Sequence, residues 1–199
     1  MLTHPQAVDY PDSDGNPMTD SDVNRQLMEY VEFALDGLFR DEPNTYVSAD
    51  LFIYFRKGAR GARIAPDVFL VKGVEKRRRD RFLLWEEGVG PCVVFEFLSP
   101  STRQRDLSYK PARYASLGVK ELYLFDSGGT WVEGKLMCYQ RRGRRLMRVR
   151  DRFSPELGVE LRVEGDWLRL VKDGKPLPTA DEERQRADAE ARRADKEAR

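Results

Sequence analysis

The sequence has few of the residues on which many catalytic and metal-binding sites depend. It contains a single histidine, His4, and two cysteines, Cys92 and Cys138, which lack CxxC spacing. Catalytic triads, HExxH zinc sites and histidine-based nuclease motifs all require a well-placed histidine, and His4 lies near the amino terminus. A disulfide framework or structural zinc site is equally unsupported. We therefore expect two buried thiols with no catalytic role.

Long apolar runs are also missing. No stretch reaches membrane-spanning length, and the first residues are polar and acidic, unlike a signal peptide. The chain of 199 residues is 40% hydrophobic, which suits one compact domain. We expect a soluble cytoplasmic protein with no membrane partner. It would comprise a flexible acidic leader (1–19), one domain (20–179) and a charged helical tail (180–199).

Charge is unevenly distributed although the net charge is only +1. Acidic residues predominate over 1–42, whereas Lys and Arg predominate over 135–152. A near-neutral total can therefore hide a basic surface that suits a phosphate-bearing partner.

Hydrophobic periodicity predicts an α/β fold. Apolar residues at helical spacing predict an amphipathic helix over 20–39, with Asp20 or Ser21 as its N-cap. Runs rich in β-branched and aromatic residues predict strands at 46–55, 62–71, 91–99 and 120–126. The first two strands are expected to form a hairpin. The helix expected between the last two strands is typical of a mixed or parallel sheet.

The remaining segments predict peripheral elements. A charged connection over 72–90 is long enough to be a functional loop. Alternating residues over 135–150 predict a β-hairpin around Arg142 and Gly143, and residues 158–177 predict further short strands.

Two acidic residues lie within apolar strands. Glu96 is at the centre of VVFEFLS, with Val94 and Leu98 on its own side, and Asp67 follows Pro66 in IAPDVFLV. An ionised carboxylate buried without a partner costs several kcal/mol. Two such acids brought together would repel unless a divalent cation such as magnesium lay between them. The alternative is that each acid lies at a strand end, hydrated or paired with an arginine.

A lysine follows the second acid. Asp106 and Lys110 are four residues apart and would share a helical face. A helix with Ser108 as its N-cap would place Lys110 and Pro111 in the first turn, where free amides are expected. Lys110 would then project from the start of the helix that follows the Glu96 strand.

Together these segments resemble the Uma-two family of restriction endonucleases, a branch of the PD-(D/E)xK nuclease superfamily. The resemblance covers roughly residues 20–180. The matching residues are Pro66, Asp67, 94–102, Asp106, Lys110, Tyr114, Gly118, Val119 and 122–126. It implies a restriction-endonuclease-like mixed β-sheet core flanked by helices, with an extra β-hairpin region and a C-terminal charged helix.

The resemblance also implies a chemistry, namely metal-dependent endonucleolytic hydrolysis of DNA phosphodiester bonds. The implied ligands of Mg²⁺ or Mn²⁺ are Asp67, Glu96 and the backbone carbonyl of Phe97. The superfamily has a lysine two residues after the glutamate, where this chain has Leu98. The resemblance implies that Lys110 takes over that role, and Asp106 is interpreted as the group that orients Lys110.

A run of basic residues lies between the two acid-bearing strands: Lys76, Arg77, Arg78 and Arg79. Its loop is expected to flank the cleft and to contact DNA phosphates, and a solvated loop is the alternative. A homodimer is the preferred oligomer. Two other functions stay open. One is a non-catalytic module on the same fold that binds nucleic acid or protein, and the other is hydrolysis of another phosphate-containing substrate.

Overall fold

A six-stranded mixed sheet organises the residues that the computed structural model describes, which are 10–11 and 22–197. In chain order the elements are α1 (Asp22–Leu38), β1 (Thr45–Ala49), β2 (Ile53–Tyr54), β3 (Arg63–Ile64), β4 (Val68–Lys72), β5 (Phe82–Leu83), α2 (Leu84–Glu87), β6 (Val93–Phe97), α3 (Arg103–Ser108), α4 (Lys110–Ser116), β7 (Glu121–Phe125), β8 (Leu136–Arg142), β9 (Arg145–Val149), β10 (Phe153–Ser154), β11 (Val159–Glu164), β12 (Trp167–Lys172), β13 (Lys175–Pro176) and α5 (Ala180–Glu197).

The main sheet has the order β1-β4-β6-β7-β8-β9. Within it β6 and β7 are parallel, and the other neighbours are antiparallel. The parallel pair is possible because α3 and α4 carry the chain back to the other end of the sheet. Two smaller sheets have the orders β10-β11-β12-β13 and β3-β2-β5. The predicted mixed α/β fold is confirmed.

Each face of the main sheet is covered by a different layer. One face packs against α1 and the four-stranded sheet, through residues such as Leu35, Phe95 and Leu170. The other face packs against α4 and the three-stranded sheet, through residues such as Val94 and Tyr114. Successive strand residues point to opposite faces, so the two covering layers fix the direction of every side chain on β6.

Two of the predicted strands are each divided in the structure. Residues 46–55 form β1 and β2, which belong to different sheets, because the chain turns at Asp50 with a φ of 47°. Residues 62–71 form β3 and β4, separated at Pro66, which has no N–H to donate to a strand ladder. The hairpin prediction holds for β2 and β3, and β1 separately pairs with β4.

The helix that carries Lys110 begins differently from the prediction. Ser108 belongs to the preceding helix α3, and its hydroxyl donates a hydrogen bond of 2.5 Å to the Gln104 carbonyl. The break falls at Tyr109, because Pro111 cannot donate to the carbonyl four residues earlier. Lys110 and Pro111 do lie in the first turn of α4.

Some of the predictions concern residues outside the described ranges. Helix α1 is present, whereas the predicted N-caps Asp20 and Ser21 lie outside the described residues, as does His4. Of the leader, Tyr10 and Pro11 are described. The ring of Tyr10 packs 5.0 Å from that of Tyr54, whose hydroxyl donates to the Pro11 carbonyl at 2.7 Å. The domain therefore holds these two residues in place.

The C-terminal tail forms the exposed charged helix α5. A reciprocal cap starts it, in which the Glu182 amide donates to the Thr179 hydroxyl and the Thr179 amide donates to the Glu182 carboxylate. Both cysteines are buried, as expected. No helix within residues 22–197 combines the length and apolar character required to cross a membrane.

The hydroxyl of Tyr30 gives a test of this packing. It accepts a hydrogen bond from the Leu170 amide at 3.0 Å and donates one to the Leu177 carbonyl at 3.3 Å, joining α1 to the four-stranded sheet. Tyr30→Phe leaves the buried Leu170 N–H without an acceptor, which should lower the free energy of unfolding by about 1–3 kcal/mol. Urea denaturation measures the change.

Tyr139→Phe is the matched control. The Tyr139 hydroxyl contacts Met137 Sδ at 2.9 Å and satisfies no buried backbone group in the described chain. This variant should shift the free energy of unfolding by less than about 0.5 kcal/mol. Equal shifts in the two variants would contradict the assigned role of Tyr30.

Candidate active site

Two acidic side chains meet where β4 begins and β6 ends. Val68 lies opposite Phe95 in the antiparallel pair, and the same register continued by one residue places Asp67 opposite Glu96. Residues opposed in this way share a face and have Cβ atoms about 4.5–5.5 Å apart. The Phe97 amide donates to Asp67 Oδ2 at 2.5 Å, which fixes this carboxylate against the end of β6.

The Glu96 carboxylate is buried and has two strong donors. It is 1% exposed and points to the same face of the sheet as Val94 and Leu98. Lys110 Nζ donates to Glu96 Oε2 at 2.6 Å, and the Tyr114 hydroxyl donates a short hydrogen bond to Oε1. Both donors come from α4, where residues four apart lie on one face. These bonds offset the cost of burying the charge.

Asp106 completes the cluster from the preceding helix. It is also 1% exposed, and its Oδ1 lies 2.8 Å from Lys110 Nζ, so the two groups form an ion pair. The ammonium therefore lies between the carboxylates of Asp106 and Glu96.

The electrostatics of the cluster favour an additional positive charge. Three carboxylates, on Asp67, Glu96 and Asp106, surround the single ammonium of Lys110, giving a net charge of −2 when all four are ionised. Burial raises the pKa of Asp67 well above its usual value, and the nearby Glu96 charge raises it further. Burial also raises the pKa of Glu96, against the opposing effect of Lys110.

Lys110 remains charged at neutral pH. Burial alone would lower the pKa of its ammonium, but the carboxylates of Glu96, Asp67 and Asp106 raise it above the ordinary value. The site therefore holds one fixed cation and an excess of acidic oxygens, which can be balanced by a proton or by a metal ion.

Sequence reasoning missed two residues that build the site. Tyr114 matched the family pattern but had no assigned role, and only the packing of α4 shows that its hydroxyl binds Glu96. Asn24 lies on the buried face of α1, where its side-chain amide donates to the carbonyls of Leu98 at 3.1 Å and Phe97 at 3.4 Å. A polar residue on an apolar helix face was the available signal.

The donor set fits a hard divalent cation. Mg²⁺ prefers carboxylate and carbonyl oxygens and is commonly held by one or two carboxylates with waters and substrate phosphates completing its shell. Asp67, Glu96 and the Phe97 carbonyl are donors of this kind at one end of β6, and each carboxylate oxygen can accept more than one bond. Within the described ranges, no three His, Cys, Asp or Glu side chains form a metal-binding group. Side chains alone therefore would not complete the shell.

The basic run predicted beside the cleft lies elsewhere. β4 runs from the Asp67 end towards Lys72, so the loop that follows it starts at the opposite end of a strand about 15 Å long. Its position between the acid-bearing strands in sequence therefore does not bring it to the site, and the expectation that it flanks the cleft is corrected.

Most of this run is neutralised by neighbouring acids. Arg79, whose side chain is 2% exposed, lies 2.7 Å from Glu87 and stacks over Tyr46. Arg77 contacts the same Glu87 carboxylate at 3.0 Å. Arg77 also lies 4.0 Å from Glu75, and Lys76 pairs with Asp36 at 2.8 Å. Arg78 is exposed.

The mixed sheet with its parallel β6–β7 pair, and the helices that connect this pair, have the architecture of a restriction-endonuclease-like fold. A family model described as "Putative restriction endonuclease" matches residues 6–170. The chain belongs to this family, Uma2, as the sequence resemblance predicted.

A solved structure supports the fold assignment. The chain is similar to the crystal structure of "a putative nuclease belonging to DUF820" from Anabaena variabilis, with a TM-score of 0.50 and 14% sequence identity. The similarity covers 71% of this chain and 76% of that one, and at this identity it shows the fold alone. A comparison with curated proteins gave no match.

Asp67→Asn tests the electrostatics of the cluster. Because folding raises the pKa of Asp67, the folded protein binds more protons than the unfolded chain between the usual carboxyl pKa and the raised value. Stability of the metal-free protein should therefore fall as pH rises through that window. Asp67→Asn removes this loss and should raise Tm at neutral pH by about 2–4 °C, corresponding to about 1 kcal/mol in a domain of this size.

Thermal unfolding in EDTA from about pH 4 to pH 8 measures the effect across the range in which carboxyl groups titrate. Asp166→Asn, at an exposed position, is the control and should follow the wild-type profile. A profile of Asp67→Asn parallel to that of the wild type would contradict the assigned electrostatics.

Proposed function

We propose that the protein is a metal-dependent endonuclease that hydrolyses DNA phosphodiester bonds. The convergence of Asp67, Glu96 and Lys110 at the adjoining ends of β4 and β6 is the observation that carries this proposal. Membership of the Uma2 family and the nuclease-like fold support nuclease function. The DNA substrate, the metal and the residue roles are proposed.

In this proposal Asp67, Glu96 and the Phe97 carbonyl hold Mg²⁺ or Mn²⁺. The bound ion would supply a Lewis acid that polarises a phosphoryl oxygen and lowers the pKa of a water molecule. The chain orients the ligands beforehand, since the Phe97 amide holds Asp67 and the Tyr114 hydroxyl holds Glu96. Such preorganisation lowers the cost of assembling the site around the substrate.

Lys110 would stabilise the attacking hydroxide and the negative charge that develops on the phosphoryl group. Its raised pKa keeps the ammonium charged, and Asp106 holds it beside Glu96. Leu98 stands where the superfamily has its lysine, but α4 brings this ammonium to Glu96 from a different backbone position. The P–O bond to the leaving oxygen would break without a covalent intermediate, leaving a 5′-phosphate.

Glu96→Gln tests the proposal with little change in shape. It should lower the rate of Mg²⁺-dependent nicking of supercoiled plasmid by about 10²-fold or more, since it removes a charged ligand and the counter-charge of Lys110. Glu133→Gln makes the same chemical change at an exposed position and should leave the rate unaltered. EDTA should abolish nicking by the wild type. Metal-dependent nicking at the wild-type rate by Glu96→Gln would exclude the proposed site.

A second function is a non-catalytic interaction module on the same fold. The observation in its favour is that Lys110 and Tyr114 already bind both oxygens of Glu96, as in a purely structural ion pair. DNA binding without cleavage in either Mg²⁺ or Mn²⁺ would support this reading. Cleavage of another phosphate-containing substrate in place of DNA would support the third hypothesis.

We also propose a homodimer, because two copies of one such site can cut both strands of a duplex. Sedimentation equilibrium of the full chain distinguishes a dimer from a monomer.

A further inference from the structure

A basic surface adjoins the candidate site on the face of the sheet covered by α4. The segment 51–66, which includes the β2–β3 hairpin, contains no Asp or Glu, and Arg56, Lys57 and Arg60 are exposed in its turn. The nearby helices α3 and α4 contain a single acid, Asp106, which is buried in the site. Exposed acidic side chains are thus absent from both segments.

The hairpin and α4 form one continuous surface. The guanidinium of Arg113, one helical turn beyond Lys110, lies 4.6 Å from the ring centre of Phe55 at the base of the hairpin turn. At the other end of the hairpin, β3 leads through Ala65 and Pro66 directly to Asp67. The turn of the hairpin also contacts the amino-terminal segment, where the Gly58 amide donates to the Tyr10 hydroxyl at 2.6 Å.

Three basic side chains of this surface have no acidic partner in the part of the chain that the structure describes. Among residues 10–11 and 22–197, no carboxylate forms an ion pair with Arg56, Lys57 or Arg105, the exposed arginine next to Asp106 on α3. The run over 76–79 differs, because Asp36, Glu75 and Glu87 form ion pairs with three of its four basic side chains. Uncompensated basic side chains beside an active site attract a polyanion and raise its local concentration.

We propose that the β2–β3 turn and the exposed side of α3 bind the phosphate backbone of double-stranded DNA on one side of the scissile phosphate. The inference rests on the proposed function, since it places the substrate of that site. The binding groups are Arg56, Lys57 and Arg105. Phosphate contacts position a duplex without reading its sequence, so binding through this surface is independent of sequence.

Fluorescence anisotropy with a labelled DNA duplex in EDTA tests the proposal without cleavage. Each phosphate contact contributes about 0.9 to the slope of log affinity against log salt concentration. Arg56→Ala/Lys57→Ala should therefore weaken binding about 10-fold or more at moderate salt and reduce the slope by about two. Arg105→Ala should reduce the slope by about one.

Lys172→Ala/Lys175→Ala is the matched control. It removes two exposed charges from the four-stranded sheet, on the opposite side of the main sheet, and should leave affinity and slope unchanged. All five substituted positions, in the hairpin, in α3 and in the control, are exposed, so each variant should fold normally. Thermal unfolding checks this.

The outcomes separate this inference from the proposed function. Equal affinities and slopes for the hairpin and control variants, or no DNA binding by the wild type, would overturn the inference. Tighter binding of duplex RNA than of duplex DNA would overturn the choice of partner. If the hairpin variants bind DNA weakly but the wild type nicks no plasmid, the binding surface is supported and only the nuclease activity is rejected. If the wild type nicks plasmid but the hairpin variants bind DNA normally, the nuclease activity is supported and the binding surface is rejected.

Discussion

The buried carboxylate of Glu96 constrains the arrangement of this half of the molecule. β6 is an inner strand covered on both faces, so the charge of Glu96 is separated from water and requires partners within the fold. Lys110 and Tyr114 supply them from successive turns of α4. Docking of α4 on the sheet is thereby tied to the direction of a single strand residue. The helical crossover from β6 to β7 therefore both connects the two parallel strands and supplies the partners of Glu96.

A buried ion pair is weak evidence for stability, because desolvating two charges can cost more than their attraction returns. The cluster around Glu96 is less favourable still, since Asp67 and Asp106 add two negative charges to one ion pair. Folding alone gives no reason to oppose Asp67 and Glu96 across β4 and β6. Groups with strongly shifted pKa values concentrate at functional sites. We interpret the excess charge as a site prepared for a cation and a phosphate.

The sequence predicted the parts of the site that follow from local patterns. Alternation along VVFEFLS correctly placed Glu96 with Val94 and Leu98, and the position of Pro111 correctly placed Lys110 in a first helical turn. Strand register was harder, since the pairing of Asp67 with Glu96 depends on how β4 meets β6. Asn24 comes from a helix far away in sequence, and no local pattern indicates where its amide lies.

The location of the basic residues relative to the site was also difficult to predict from sequence. Sequence position suggested the run over 76–79, but β4 leads away from Asp67 to that loop. Three acids, Asp36, Glu75 and Glu87, also pair with its side chains. No local pattern indicated that the hairpin packs against α4, because this placement depends on the contact between Arg113 and Phe55, which are far apart in sequence. Proximity in a sheet follows strand direction and register, which a single sequence specifies only indirectly.

A cation bound between the two opposed acids is what the proposed chemistry requires above all. Anomalous diffraction from crystals soaked in Mn²⁺ tests this directly. We predict an anomalous peak between the carboxylates of Asp67 and Glu96, beside the Phe97 carbonyl. Crystals with Mn²⁺ bound at other positions, and with Glu96 held by Lys110 and Tyr114 alone, would contradict the account.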